Sequence, residues 1–297
     1  MRLPIYLDYN ATTPVDERVL EAMLPWFTHH FGNAASRTHL YGWRAEEAVA
    51  QARVQVAKIL NATAKEIVFT SGATESNNLA IKGIYEQLSH RGCHIITLKT
   101  EHKATLDVCA HLEKRGAEIT YLTPASDGLI TPQAIAEALR PDTILVSIML
   151  ANNEIGVIQP IKAIAEKVHQ AGALLHTDAT QAVGKIPIDV QTQGIDLLSL
   201  SAHKLYGPKG IGALYVRKGT ALTAQIDGGG HERGRRSGTL NVPAIVGLGE
   251  ACAIAQQEMS TESERLSQLR DHLENQILTH IPATFVNGAT SHRLCRI

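Results

Sequence analysis

Cysteine is rare here, four residues in 297, and Cys93, Cys109, Cys252 and Cys295 stand far apart with no Cys-x-x-Cys pair. With no signal peptide before Asp8, that spacing predicts free thiols in a reducing, cytoplasmic setting. No apolar run reaches membrane-spanning length, which argues against a membrane partner. Charge of one sign is also lacking: 28 basic and 29 acidic residues leave a formal net charge of −1. Bulk electrostatics therefore give no reason to expect nucleic acid or an anionic surface as partner. Internal repeats and low-complexity stretches are absent too. What remains is a chain long enough to bury a large core, with small molecules and other proteins as its expected partners.

Short apolar runs alternate with helical patterns. The runs are Ile67 to Phe69, His94 to Leu98, Glu118 to Leu122, Ile144 to Met149, Leu174 to His176, Ile195 to Leu200 and Ile211 to Val216. Between them, apolar residues recur at helical spacing, as in Ala45, Val49, Ala52, Val56 and Ile59, or Ile161, Ile164, Ala165 and Val168. This alternation predicts an α/β fold with a mainly parallel sheet between helices. The run from Ile211 follows its neighbour after only a Gly/Pro turn, so it is expected to return antiparallel and make the sheet mixed. From Pro243 to about Leu278 the pattern is helical, with Leu266, Leu269, Leu273 and Ile277 in one row. Polar residues at Ser260 to Ser263 predict a domain hinge near Met259. Residues 281–297 have room for one strand and not for a second domain.

The chemistry concentrates at strand ends. Ser201-Ala-His-Lys204 places an amine in the turn after an apolar strand, flanked by histidine and hydroxyl groups. A partly desolvated lysine there can attack a carbonyl and form a Schiff base, which points to pyridoxal 5'-phosphate. Taken alone, Lys204 reads first as one more surface lysine. The run Thr70-Ser-Gly-Ala-Thr-Glu opens a helix directly after a strand, so Gly72, Thr74 and the helix N-terminus make a phosphate seat. Ordinary N-capping by Ser71 or Thr74 is the alternative. Asp178 ends another strand, where a desolvated carboxylate needs a partner such as a protonated pyridine nitrogen or, more simply, the helix it caps. Gln181, three residues on from Asp178, and Asn153, in the loop after the strand Ile144 to Met149, could reach a ring oxygen, although an asparagine pair often marks only a turn. His102 follows a strand and could stack on a ring and shuttle protons. The loop Asp227 to Thr239 combines many glycines with three arginines. It reads as a phosphate-binding loop, possibly one that crosses a subunit boundary, or else as a mobile surface loop.

Together these strings resemble the group I cysteine desulfurases of the NifS and IscS type, within the fold type I pyridoxal phosphate enzymes. The similarity also takes in Tyr6-Leu-Asp-Tyr-Asn-Ala-Thr-Thr-Pro14, Phe31-Gly-Asn-Ala-Ala-Ser36 and Gly228 to Thr239, and runs almost continuously from Leu3 to about Val286. The resemblance implies that Lys204 bonds the cofactor and Asp178 holds its pyridine nitrogen. Asn153 and Gln181 would bind the phenolic oxygen, and His102 would stack on the ring and move protons. Ala73, Thr74, Ser201 and His203 would hold the phosphate, with Thr239 supplied by the partner subunit of a homodimer. The implied reaction converts L-cysteine to L-alanine and passes sulfur to an acceptor or scaffold protein, for iron-sulfur cluster or other thio-cofactor assembly. It also implies a division into an N-terminal small-domain segment (1–15), a large cofactor domain (16–259) and the start of a small domain (260–297). The family's mobile-loop cysteine and carboxylate-binding arginine would lie beyond Ile297, so the chain reads as truncated and its turnover as impaired. Cys295, in Leu294-Cys-Arg-Ile, does not match that loop and is expected to have no catalytic role. A catalytically silent cofactor-binding subunit and another fold type I activity, such as a selenocysteine lyase, stand as alternatives.

Overall fold

A computed structural model describes residues 4–295. The outermost residues of the two terminal segments, 1–3 and 296–297, lie outside it. Seven strands form one sheet: β1 (Ile67–Thr70), β2 (His94–Leu98), β3 (Glu118–Leu122), β4 (Thr143–Ser147), β5 (Leu174–Asp178), β6 (Leu197–Ser201) and β7 (Gly212–Val216). Their spatial order is β1-β7-β6-β5-β4-β2-β3. β7 runs antiparallel to both neighbours and the other adjacent pairs are parallel. The α/β class, the mixed sheet and the antiparallel return at Ile211 are all as expected.

Helices cover both faces: α1 (Glu17–Met23), α2 (Pro25–Thr28), α3 (Leu40–Ile59), α4 (Ala73–Leu88), α5 (Lys103–Glu113), α6 (Pro132–Ala138), α7 (Ile161–Gln170) and α8 (Val242–His280). Side chains alternate across a strand, so each strand feeds two cores. Leu198, Leu200, Ala213 and Tyr215 pack on one side with Ala45, Val49, Ile164, Val168 and Leu248. Leu197, Leu214 and Val216 pack on the other with Leu79, Ile84, Val108 and Leu112. Strands buried on both faces cannot alternate polar with apolar, which is why these runs read as continuous.

The expected hinge at Met259 is not a break in the backbone. α8 runs unbroken through it for 39 residues, its start capped by the Asn241 side chain accepting the Ala244 N–H. Ser and Thr lower helix propensity by only a few tenths of a kcal/mol, and no Gly or Pro falls between Glu250 and His280 to end the helix. Burial does change there: Ala251 and Cys252 are buried, whereas Leu269 and Leu273 are exposed. The strand expected after Ile281 is reduced to a single antiparallel bridge, Arg293 to Val157. Ile158 donates to the His292 carbonyl (2.8 Å) and Leu294 to the Gly156 carbonyl (2.9 Å). Arg293 is also paired with Glu274 of α8 (2.6 and 3.0 Å).

Candidate active site

Because β1, β2, β4, β5 and β6 are mutually parallel, the turns that follow them open on one edge of the sheet. Open α/β folds place ligands at that edge. There a single cleft of about 1090 Å³ is lined by Ala73, Thr74, His102, Asn153, Asp178, Gln181, Ser201, His203 and Lys204. Nine of the ten expected site residues are thus brought together. Thr239, the tenth, is exposed and lies outside this cleft.

The floor is the end of β5. Asp178 is buried, its Oδ2 accepting from Asn77 Nδ2 (2.8 Å) and its Oδ1 from the Thr180 N–H (3.0 Å). Two donors leave lone pairs on each oxygen for a further N–H. Burial disfavours charge on the groups around it. Burial, and then the charge of Asp178, keeps the Glu101 carboxyl well above the usual carboxylate range. Burial pushes His176 down to about 4, its ring set between Ser147 Oγ (2.8 Å) and Ser199 Oγ (3.0 Å).

Lys204 ends the single 3-10 turn (Ala202–Lys204) that follows β6. Its Nζ donates to the carbonyl of Asn10 and, at 2.9 Å, to that of Ala11, so the segment between Pro4 and Val15 lies over the amine. The same segment is tied down around the turn. Thr13 donates to the His203 carbonyl through its N–H (3.1 Å) and its hydroxyl (3.0 Å). His203 Nδ1 pairs with Thr12 Oγ1 (3.1 Å). Burial first, then the Lys204 and Lys209 charges, lowers His203 to about 4, so its ring enters the cleft as a neutral hydrogen-bonding group.

The expected phosphate seat is the start of α4. Gly72 has φ 151°, a conformation closed to most side chains. Gly212 of β7 passes so close that a Cβ there would stand 2.7 Å from the Gly72 Cα. Ser201 Oγ lies 3.7 Å from where a Gly72 Cβ would be. The first-turn N–H groups of α4 have no acceptor within the helix and carry the positive end of its dipole.

His102 caps α5, its Nδ1 accepting from the Ala104 N–H (3.1 Å), which leaves Nε2 as the protonated nitrogen of the neutral ring. Asn153 Nδ2 donates to Glu154 (2.7 Å). Gln181 spans from the Asn10 carbonyl (3.0 Å) to Lys185 Nζ (2.5 Å), committing its oxygen and one amide hydrogen. The glycine-rich loop is fastened at two points. Glu232 grips Arg53 (2.6 and 2.6 Å) and the Phe69 N–H (2.8 Å), and Arg236 pairs with Glu75 (2.7 Å). The cysteines stand apart from the cleft. Burial pushes Cys109 and Cys252 up to about 12. Cys295 lines a second pocket of about 230 Å³ between α1 and α8, which Lys204 also lines.

Sequence reasoning missed Asn10, Ala11, Thr12, Asn77, Glu101 and Thr180. Asn77 carried a signal, a polar residue in line with Ile81 and Ile84 on a buried helix face. Asn10, Ala11 and Thr12 stood in the matching string Tyr6 to Pro14 but carried no sign of a contact with Lys204, which they meet across almost two hundred residues without regular structure. Several buried polar atoms here have no protein partner: Asn10 Oδ1, Asn77 Oδ1, Glu101 Oε2 and Thr180 Oγ1. A cleft with unused polar atoms, a helix-start anion seat, a buried carboxylate and a lysine fits pyridoxal phosphate, which carries an anion, a basic ring nitrogen, a ring oxygen and an aldehyde.

Fold and site thus define a class. The aminotransferase class-V pattern matches residues 5–295, and the chain belongs to that family. Among its relatives, "Cysteine desulfurase IscS" of Shewanella sp. (strain W3-18-1) is 60% identical, the match covering 99% of this chain and 74% of the relative. A solved "NIFS-LIKE PROTEIN" superposes with a TM-score of 0.95 at 40% identity, covering 99% of this chain and 80% of the other. A structure described as "SspA in complex with cysteine" gives 0.82 at 48% identity, covering 84% and 72%.

Proposed function

We propose that the chain is a pyridoxal-phosphate-dependent cysteine desulfurase, taking L-cysteine to L-alanine and passing the sulfur to a thiol acceptor on another protein. The observation that carries this is the meeting of Lys204 and Asp178, 26 positions apart, in one cleft that also holds a helix-start phosphate seat. When bound, the cofactor supplies an aldehyde for an amine and a ring that takes up negative charge developing at the substrate Cα. Lys204 Nζ is the amine that holds it. Asp178 holds a proton at the ring nitrogen, and Asn153 and Gln181 reach the ring oxygen. His102 lies along the ring and exchanges a proton at Nε2. Ala73, Thr74, Ser201 and neutral His203 seat the phosphate, and Thr239 completes the seat of a second copy.

A homodimer is supported by Thr239 lying outside its own cleft and by the exposed cluster Phe27, Phe31, Leu40, Tyr41 and Trp43. Among the described residues no helix is long and apolar enough to cross a membrane, which accords with a cytoplasmic enzyme. A small domain made of residues 1–15 and 260–297 accords with the exposure of α8 beyond Met259. A second reading, a cofactor-binding subunit without turnover, is favoured by one observation: among the described residues, no cysteine lines the cleft.

Incubation of the purified, cofactor-loaded protein with L-cysteine and a thiol reductant separates the two readings. Alanine and sulfide in equal amounts support the desulfurase. Neither product, with the visible chromophore retained, supports the silent subunit. Lys204→Ala should abolish the visible absorbance of bound cofactor, and an intact band would overturn both.

A further inference from the structure

His102 is exposed, and its Nδ1 accepts the Ala104 N–H at the start of α5. An imidazole so lightly held takes its orientation from its backbone, and that backbone is fastened by the residue before it. The Glu101 side chain turns inward from the same turn. Its Oε1 accepts the Met149 N–H just past β4 (2.8 Å), and its Oε2 is buried without a protein partner. Asn152 spans the same gap in the opposite direction. Its Nδ2 donates to the Thr100 carbonyl (3.1 Å), while its Oδ1 accepts from the N–H groups of Glu154 (2.9 Å) and Ile155 (3.0 Å). Two side chains, one from each loop, thus cross-link the turn bearing His102 to the turn bearing Asn153.

We infer that Glu101 is a positioning residue: its carboxyl anchors the His102 turn to the chain following β4 and so sets the angle at which the imidazole meets the cofactor. This rests on the reading that His102 lies on the cofactor ring. A carboxyl is a costly anchor in this place, since it is wholly buried beside Asp178, and burial pushes it well above the usual carboxylate range. A glutamine supplies the same acceptor oxygen toward the Met149 N–H.

The test is a titration of apoprotein with pyridoxal phosphate, followed by absorbance and by visible circular dichroism, which reports how asymmetrically the ring is held. Glu101→Ala should weaken binding about tenfold, the equivalent of one hydrogen bond to a buried amide, and reduce the dichroic band. Glu101→Gln should stay within about twofold of the parent with the band intact. His102→Ala should produce a loss like that of Glu101→Ala, and the double variant should be no worse than His102→Ala alone. Additive losses, or a Glu101→Gln as damaged as Glu101→Ala, overturn the inference. If His102→Ala changes neither readout, the placement of His102 itself is wrong and the inference falls with it. Should Glu101→Ala not fold, Glu101→Asp replaces it: one methylene shorter, it withdraws from Met149 and should show the same loss and the same non-additivity.

Discussion

Glu232→Ala strikes the point where the glycine-rich loop is bolted to the sheet. The carboxylate is almost fully buried and takes two N–H groups of Arg53, itself largely buried, and the Phe69 N–H of β1. Arg53 also lies over the Phe69 ring, 4.5 Å from its centroid, and donates to the Ile67 carbonyl (2.8 Å). Truncation leaves a buried amide unsatisfied, a loss of about 1–3 kcal/mol, and a buried guanidinium without its counter-charge, about 3–5 kcal/mol when one partner of such a pair is removed. The two losses share one carboxylate and do not add fully. Backbone relaxation offsets part of them, because Glu232 and Arg233 sit at φ 51° and 60°, each about 1–2 kcal/mol above the ordinary helical region. The expected net is about 3–4 kcal/mol, a large share of the roughly 5–15 kcal/mol that holds a typical domain folded. Urea denaturation should show it as a lower midpoint with unchanged slope. Glu232→Gln, which keeps an acceptor for Phe69, should lose about half as much. The paired replacement Arg53→Met with Glu232→Leu should lose less than Glu232→Ala, since it leaves no lone charge. A loss below about 1 kcal/mol for Glu232→Ala, or a double replacement worse than either single one, would refute the view that this pair bolts the loop.

Gly212→Ala should weaken pyridoxal phosphate binding at least tenfold by equilibrium titration, because its Cβ would press on the Leu200 carbonyl at 2.4 Å and on Gly72 at 2.7 Å; unchanged affinity would mean the start of α4 is not the phosphate seat. Asn77→Ala removes a donor to Asp178 and should shift the pH dependence of the cofactor's absorbance while leaving the phosphate seat intact. Acid should destabilise the fold in a defined window. His176 and His203 are held near 4 when folded and titrate near 6.5 when unfolded, so the unfolded chain binds more protons between those values and stability falls as pH drops from 6.5 to 4. His203→Gln should flatten that slope in denaturant titrations, and an unaltered slope counts against a neutral buried ring. Glu101 acts in the opposite sense: its folded carboxyl titrates above the unfolded value of 4.5, a penalty that grows as pH rises past 4.5, so Glu101→Gln should be more stable than the parent near neutrality.

How much of this was legible in the sequence depended on whether a contact was local. β2 and β3 were found to the residue because each is a short β-branched run bounded by turn residues; β2 is buried throughout, whereas β3, at the sheet edge, is half-buried with Glu118 exposed. The loops after β1, β4, β5 and β6 were legible because each sets polar, chemistry-bearing residues directly after an apolar strand. The hinge at Met259 was expected from polarity, yet polar residues do not end a helix unless a Gly or Pro removes its geometry or its donor. The covering of Lys204 by the Asn10 and Ala11 carbonyls was illegible, since no spacing rule connects residues 194 and 193 positions apart.

That covering bears on how the lysine works. Two carbonyls hold Lys204 Nζ, whereas an attacking amine must turn its lone pair toward the aldehyde. Cofactor entry must therefore break the contacts to Asn10 and Ala11 before the amine can react. Deleting residues 1–9 should weaken that cover and speed the appearance of the visible band when pyridoxal phosphate is mixed with apoprotein by stopped flow, while Thr13→Val, which removes the hydroxyl bond to the His203 carbonyl but keeps the N–H one, should speed it less. If both variants develop the band at the parent rate, the segment is a bystander and the lysine is already free to react.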